Sequence, residues 1–436
     1  MPRVIGALAL AFVFVCVSSQ SATAQQPPPA TCTLPRLYVD NSVILDGTAP
    51  QETDAWTPPP DTTPPVWRTA QSGDFTAQPQ GELSADISLD VDRFFNELAQ
   101  GLTGVNGAAV RVRFLEAATR DGAFGYAQNP GDGNRVWTTR TPMHVASISK
   151  FPAAITMLQT LAAHGVNPDT TIEAYLPDDW AQGPNVDRIT FRDLMRMTSG
   201  ICRTGSTADW DTLQALIAQG VTGAHFGHYR YDNANYGLLR VLVTTMNDKI
   251  DTSTPANTPD TIRFWERGVI RFFGDAQNTG ILFPVDAYGI SLQARPEDAV
   301  SYNTNFDRPM SWGDLSDMSA SAGLHMSVDQ VDRIALDFMS GRLAHIAPSD
   351  ANAILQNFYG VDPPVLSTPI GDFYVKDGAW GNAGSCPGTA SQQQTVVFIS
   401  PSGWIITVFI NSPPNVGGHC GSLRQVVSTA LLASIH

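Results

Sequence analysis

The sequence predicts an α+β fold. One antiparallel sheet gathers strands from both ends of the folded region, and a mainly helical stretch is inserted between them. Three observations carry this expectation. Near the start, Ala108 to Phe114 alternates with the two-residue period of a strand. Near the end come three further runs of apolar, β-branched and aromatic residues: Phe373-Tyr374-Val375-Lys376, Thr395 to Ile399 and Trp404 to Ile410. The last two are joined by Ser400-Pro401-Ser402-Gly403, a hairpin signal. Between the two groups the pattern is helical, broken by many Gly and Pro turns.

Taken in order, the chain opens as a secretory leader over residues 1–24. Met1-Pro2-Arg3 is a short basic start, Val4 to Val17 is an apolar run too short to span a bilayer comfortably, and Ala22-Thr23-Ala24 fits a small-x-small cleavage site. Residues 25–81 are rich in Pro, Thr, Ser and Gln and read as an extended arm or linker. Trp56, Trp67 and the run from Leu34 to Leu45 suggest that parts of it lie against the main body. The folded unit covers residues 82–436. Val91, Phe94, Phe95, Leu98 and Leu102 recur at helical spacing, and Ala123 to Ala127 is the hairpin partner of the first strand. A long helix is expected from about Ser147 to Ala163, and the helical insertion covers about residues 164–366. The closing helix carries Leu423, Val426, Val427, Ala430 and Leu431 on one face.

Composition excludes several classes of function. The chain has 41 acidic and 26 basic residues, a formal net charge of −15, and so is a poor partner for nucleic acid or an anionic membrane surface. No stretch after the leader is long and apolar enough for a transmembrane helix, so the mature protein is expected to be exported, to the periplasm or beyond. The eight histidines are scattered, no metal-binding spacing occurs, and no metal or other cofactor is expected. Cys32, Cys202, Cys386 and Cys420 remain after the leader. Three pairings are possible, and Cys386–Cys420 with Cys32–Cys202 is preferred, because the first would brace a strand end against the entry to the last helix.

Only three of the basic residues are lysines: Lys150, Lys249 and Lys376. An arginine cannot give up its proton in a protein, whereas a desolvated lysine can. Two of the three sit in segments that read as catalytic. In Ser147-Ile148-Ser149-Lys150 the serine and lysine are one helical turn apart, and the serine falls at a helix start, where free N–H groups favour developing negative charge. A neutral lysine there can take the serine proton. In Tyr231-Asp232-Asn233, a tyrosinate near an ammonium can act as general base, and an asparagine amide can orient a substrate carbonyl. In Lys376-Asp377-Gly378, the cation can hold the tyrosine's charge or a substrate anion, and the glycine lets a substrate backbone lie close to the strand. Each motif alone is common by chance.

Together, in this order and at these separations, the three resemble the serine β-lactamase and penicillin-binding-protein-like family, in particular its class C β-lactamase and esterase branch. Ala174-Tyr175-Leu176-Pro177, Thr198-Ser199-Gly200-Ile201 and Ser321-Ala322-Gly323-Leu324 agree with it, and the resemblance covers roughly residues 88–434. It implies the β-lactamase/transpeptidase-like fold. It also implies an acylated nucleophile at Ser147, proton transfer through Lys150, Tyr231 as general base for acylation and deacylation, substrate orientation by Asn233, and electrostatic support from Lys376 beside Gly378. The oxyanion hole would be the backbone N–H groups of Ser147 and Ala379. The implied substrates are small esters, D-peptides or β-lactam-like molecules. Asp377 stands where penicillin-recognising members usually have Thr or Ser; a carboxylate there is expected to repel anionic β-lactams, which favours an esterase or peptidase. A class C-like β-lactamase or D,D-carboxypeptidase, and a non-catalytic binding or sensing module on the same scaffold, are the competing readings.

Overall fold

The computed structural model describes residues 64–73, 88–201, 208–247, 290, 294–303, 305–313, 315, 318–381, 392–416 and 419–436. The leader, most of the Pro-rich arm, Lys249, Cys32, Cys202 and Cys386 lie outside these residues, as does the side chain of Cys420. The preferred disulfide pairing therefore falls outside what is described.

Strand β1 (Arg68–Gly73) is followed by helix α1 (Val91–Gly101), and the hairpin β2 (Gly107–Phe114) and β3 (Ala118–Gln128) comes next. The C-terminal part supplies β7 (Asp362–Thr368), β8 (Gly371–Gly381), β9 (Gln392–Ile399) and β10 (Trp404–Ile410). These join one antiparallel sheet in the order β1-β3-β2-β10-β9-β8-β7, with β4 (Arg135–Val136) added beside β3. The register of β10 on β2 runs from Trp404 opposite Phe114 to Ile410 opposite Ala108, so the first and last strand groups meet at the sheet centre. This is the architecture that the two clusters of alternating segments predict.

Side-chain alternation gives the sheet two apolar faces. On one, Val110, Val112, Phe373, Val375, Ile406 and Val408 pack against Phe94, Phe95 and Leu98 of α1, and against Leu423, Val427 and Leu431 of the closing helix α8 (Leu423–Ala433). Each such buried side chain stabilises the fold by ~1.5–3 kcal/mol. Asp90 caps α1 by accepting from the Arg93 N–H at 2.9 Å. On the other face lies the helical lobe: α2 (Lys150–Ala163), α3 (Phe191–Arg196), α4 (Trp210–Gln219), α5 (Asn233–Met246), α6 (Val328–Met339) and α7 (Pro348–Gln356). Short strands β5 (Met143–His144) and β6 (His325–Met326) pair with each other beneath this lobe.

Two details depart from the sequence expectation. Strand β1 lies inside the stretch read as an arm. Arg-Thr-Ala-Gln-Ser-Gly carries no apolar alternation; its pairing with β3, Arg68 donating to the Trp137 carbonyl at 2.9 Å, and Trp67 donating to the Phe95 carbonyl at 2.9 Å while its ring packs on Phe124, tie it to the sheet. The helix expected from Ser147 opens instead as a 3₁₀ turn over Ala146–Ser149, and the α-helix proper starts at Lys150. Pro152 then falls in the first turn, where a missing N–H costs nothing.

Candidate active site

Ser147 is held by the turn between β5 and α2. Ala146, immediately before it, has φ 49°, a left-handed conformation that L-residues adopt at a cost of about 1–2 kcal/mol. The surroundings enforce that turn. Val145 accepts from Thr395 Oγ1 of β9 at 2.8 Å, and its N–H donates to the Leu324 carbonyl at 2.9 Å. Ser149 Oγ, in the same turn, accepts from the Leu324 N–H at 3.1 Å. Ser147 is thus carried on a strained turn clamped between sheet and lobe.

Lys150 is fully buried. Its Nζ lies 2.8 Å from Asn233 Oδ1, 2.6 Å from the Ser321 carbonyl oxygen and 3.0 Å from Ser147 Oγ. Burial, and then the nearby charge of Lys376, hold its amine well below the usual lysine range. A neutral amine has two N–H groups and one lone pair. The two carbonyl oxygens can only accept, so they take both N–H groups and leave the lone pair for the Ser147 hydroxyl.

Tyr231 Oη hydrogen-bonds Ser147 Oγ from the other side. Burial, and then the charge of Asp362, push this phenol up, so it rests protonated; its bond to Ser147 acts in the opposite sense and is outweighed. Tyr231 therefore rests as a phenol that can donate to Ser147, and it can serve as a base once it has given up that proton. Its ring lies between the two lysines, with Lys150 Nζ at 4.8 Å and Lys376 Nζ at 5.3 Å from the centroid. Tyr231 is delivered by the loop before α5, whose N-cap Asp232 accepts from Ala234 N at 2.9 Å. That loop is tied back to the Thr198-Ser199-Gly200 segment: Ser199 Oγ donates to Asn235 Oδ1 at 2.6 Å, and the Arg230 N–H donates to the Met197 carbonyl at 2.8 Å. Met197 itself caps α3 in a left-handed conformation and is buried, a packing role.

The third motif is on β8, and here the structure corrects the sequence reading twice. A Cβ at Gly378 would lie 2.5 Å from the Val145 carbonyl oxygen, 2.7 Å from Thr395 Oγ1 and 2.9 Å from Ser147 N. The glycine makes room for the serine's own turn, not for a substrate backbone. The same contact sets β8 against the Ser147 amide, with Ala379 the next residue on that strand. Asp377 points to the opposite face from Lys376, by strand alternation, and meets Arg424 of α8 at 3.3 Å. Its carboxylate does not front Ser147, so the charge argument against anionic substrates cannot rest on it.

Lys376 is buried and ion-paired with Asp362 at the start of β7. Sequence reasoning missed this partner, and also the Ser321 carbonyl that fixes Lys150. Asp362 lies 14 residues from Lys376 and precedes Pro363-Pro364 in what reads as a turn. Only the β7–β8 register, with Asp362 opposite Val375, brings it to the lysine. A backbone carbonyl such as that of Ser321 leaves no mark in residue type. Among the described residues there is no group of three or more His, Cys, Asp or Glu that could hold a metal ion, and no helix is long and apolar enough to cross a membrane.

Residues 91–249, which hold the serine, both of its neighbours and Asn233, match the family model described as Beta-lactamase. No curated protein matches the sequence. Solved structures of similar fold include FmtA from Staphylococcus aureus, with 15% identity and TM-score 0.56 over 79% of this chain and 90% of that one. The class C β-lactamase from Rhodobacter sphaeroides has 16% identity and TM-score 0.55, over 78% and 98%. EstCE1, a hydrolase with promiscuous acyltransferase activity, has 14% identity and TM-score 0.53, over 78% and 99%. At these identities the structural likeness is one of fold. The Ser147 to Asn233 segment thus lies within a match to the Beta-lactamase family model, and the chain has the β-lactamase/transpeptidase-like architecture.

Proposed function

We propose that the protein is an exported serine hydrolase that works through an acyl-enzyme on Ser147, acting as an esterase or peptidase. The observation that carries this is the enclosure of Lys150: a fully buried amine held by two carbonyl oxygens and 3.0 Å from Ser147 Oγ, where its neutral form can take the serine proton. The basic start and apolar run at residues 1–17 support export.

In this reading Lys150 takes the Ser147 proton as Oγ attacks the acyl carbon. Tyr231 donates to the departing group, and the phenolate that results lies within reach of two cations. The backbone N–H groups of Ser147 and Ala379 hold the oxyanion. In deacylation the Tyr231 phenolate takes a proton from water, hydroxide attacks the ester, and Lys150 returns its proton to Ser147 Oγ. Protons balance over the cycle, and each of the two bases serves one half-reaction. Asn233 fixes Lys150 and faces the acyl group.

The test is intact mass after treatment with a fluorophosphonate. One adduct on the parent and none on Ser147→Ala is the expected result. No adduct on the folded parent would turn the reading toward a non-catalytic module. Nitrocefin divides the hydrolase class further: rapid turnover that is lost in Ser147→Ala would replace the esterase reading by a β-lactamase.

A further inference from the structure

The lysine that β8 presents beside the nucleophile is already held in an ion pair. Lys376 is the cation that β8 presents on the Ser147 side, and it is 1% exposed. Its ammonium is bound to the carboxylate of Asp362, whose side chain is 13% exposed and so forms the outer member of the pair. Lys150 supplies no resting charge, because its amine is held neutral. Arg424 is turned to the far face, where it holds Asp377 and donates to the Pro364 carbonyl at 2.9 Å. A substrate anion that reached Lys376 would meet the Asp362 carboxylate first. It would have to displace Asp362 from a largely buried, hydrogen-bonded ion pair and leave that carboxylate without its partner.

We propose that Asp362 is a specificity-determining residue that keeps the Lys376 ammonium occupied, so that the site accepts neutral or cationic acyl groups and rejects those carrying a carboxylate. The proposal rests on the serine hydrolase reading. The register of β7 on β8 is what places Asp362 there, so the charge preference is built into the sheet edge rather than into a mobile loop.

The test compares two esters with acyl chains of matched length, 4-nitrophenyl hexanoate and mono-4-nitrophenyl adipate, on the parent, Asp362→Asn and Asp362→Asn/Lys376→Gln. The quantity read is the ratio of kcat/KM for the two esters, which cancels any general loss of activity. The parent is expected to favour the hexanoate by at least about tenfold. Asp362→Asn should narrow that ratio about tenfold, through KM for the adipate, since a freed ammonium then binds the carboxylate. The double variant should restore the parent ratio. Asp362→Ser repeats the measurement if the asparagine variant does not fold. Equal use of both esters by the parent, or an unchanged ratio in an Asp362 variant that still takes a fluorophosphonate on Ser147, would overturn the proposal alone. No turnover of either ester and no adduct on the parent would remove the hydrolase reading, and the proposal with it.

Discussion

A lysine enclosed by two carbonyl oxygens and one hydroxyl can donate to all three as an ammonium, or as a neutral amine donate to the carbonyls and accept from the hydroxyl. At Lys150 burial and the charge of Lys376 favour the neutral amine, which places its lone pair toward Ser147. Two outcomes follow at this scale. Lys150 rests well below the ordinary lysine value, so the free base is present above that depressed value and is lost as pH falls through it. The fluorophosphonate labelling rate should therefore stay high at neutral pH, where an ordinary lysine is protonated, and fall on the acid side. Lys150→Arg supplies a guanidinium that cannot deprotonate. It should slow labelling at least about a hundredfold at every pH while circular dichroism stays unchanged. A rate within a few-fold of the parent would exclude Lys150 as the base.

At the scale of elements, the site depends on how closely β8 lies against the Ser147 turn. That approach is possible because Gly378 has no Cβ; an alanine there would collide with backbone atoms of Val145 and Ser147, which cannot rotate away. Gly378→Ala should destabilise by ~1–3 kcal/mol. It should also depress Ser147 labelling far more than the fraction unfolded explains, since the serine is pushed from its bonds to Lys150 and Tyr231. Denaturant midpoint and labelling rate on the same sample separate the two effects. Sequence reasoning picked out this glycine by its place after the lysine and assigned it to substrate. The motif was legible, but its neighbour was not, because Val145 is more than two hundred residues away and meets it only through the fold.

For the whole molecule, the sheet closes the N-terminal strands on the C-terminal ones, and α1 and α8 seal the face away from the site. Leu431 is fully buried in that seal. Leu431→Ala should cost ~2–5 kcal/mol in a urea titration yet leave the Ser147 labelling rate of the folded protein near the parent value. A large drop in labelling without loss of stability would mean that the rear face sets the geometry of β8, to which Arg424 of α8 is bonded through Asp377.

By itself the sequence determined the α+β class, the pairing of early with late strands, and the set Ser147, Lys150, Tyr231, Asn233 and Lys376. The physical reason is that strand alternation, hairpin turns and the Ser-x-x-Lys spacing are local properties, written in neighbouring residues. Tertiary structure alone decided the burial and partners of Lys150 and Tyr231, the attachment of β1, the partner of Lys376 and the direction of Asp377. Those depend on burial and on charges brought together from distant segments. Asp362 and Lys376 meet through strand register, and Ser321 reaches Lys150 with a carbonyl that every residue possesses.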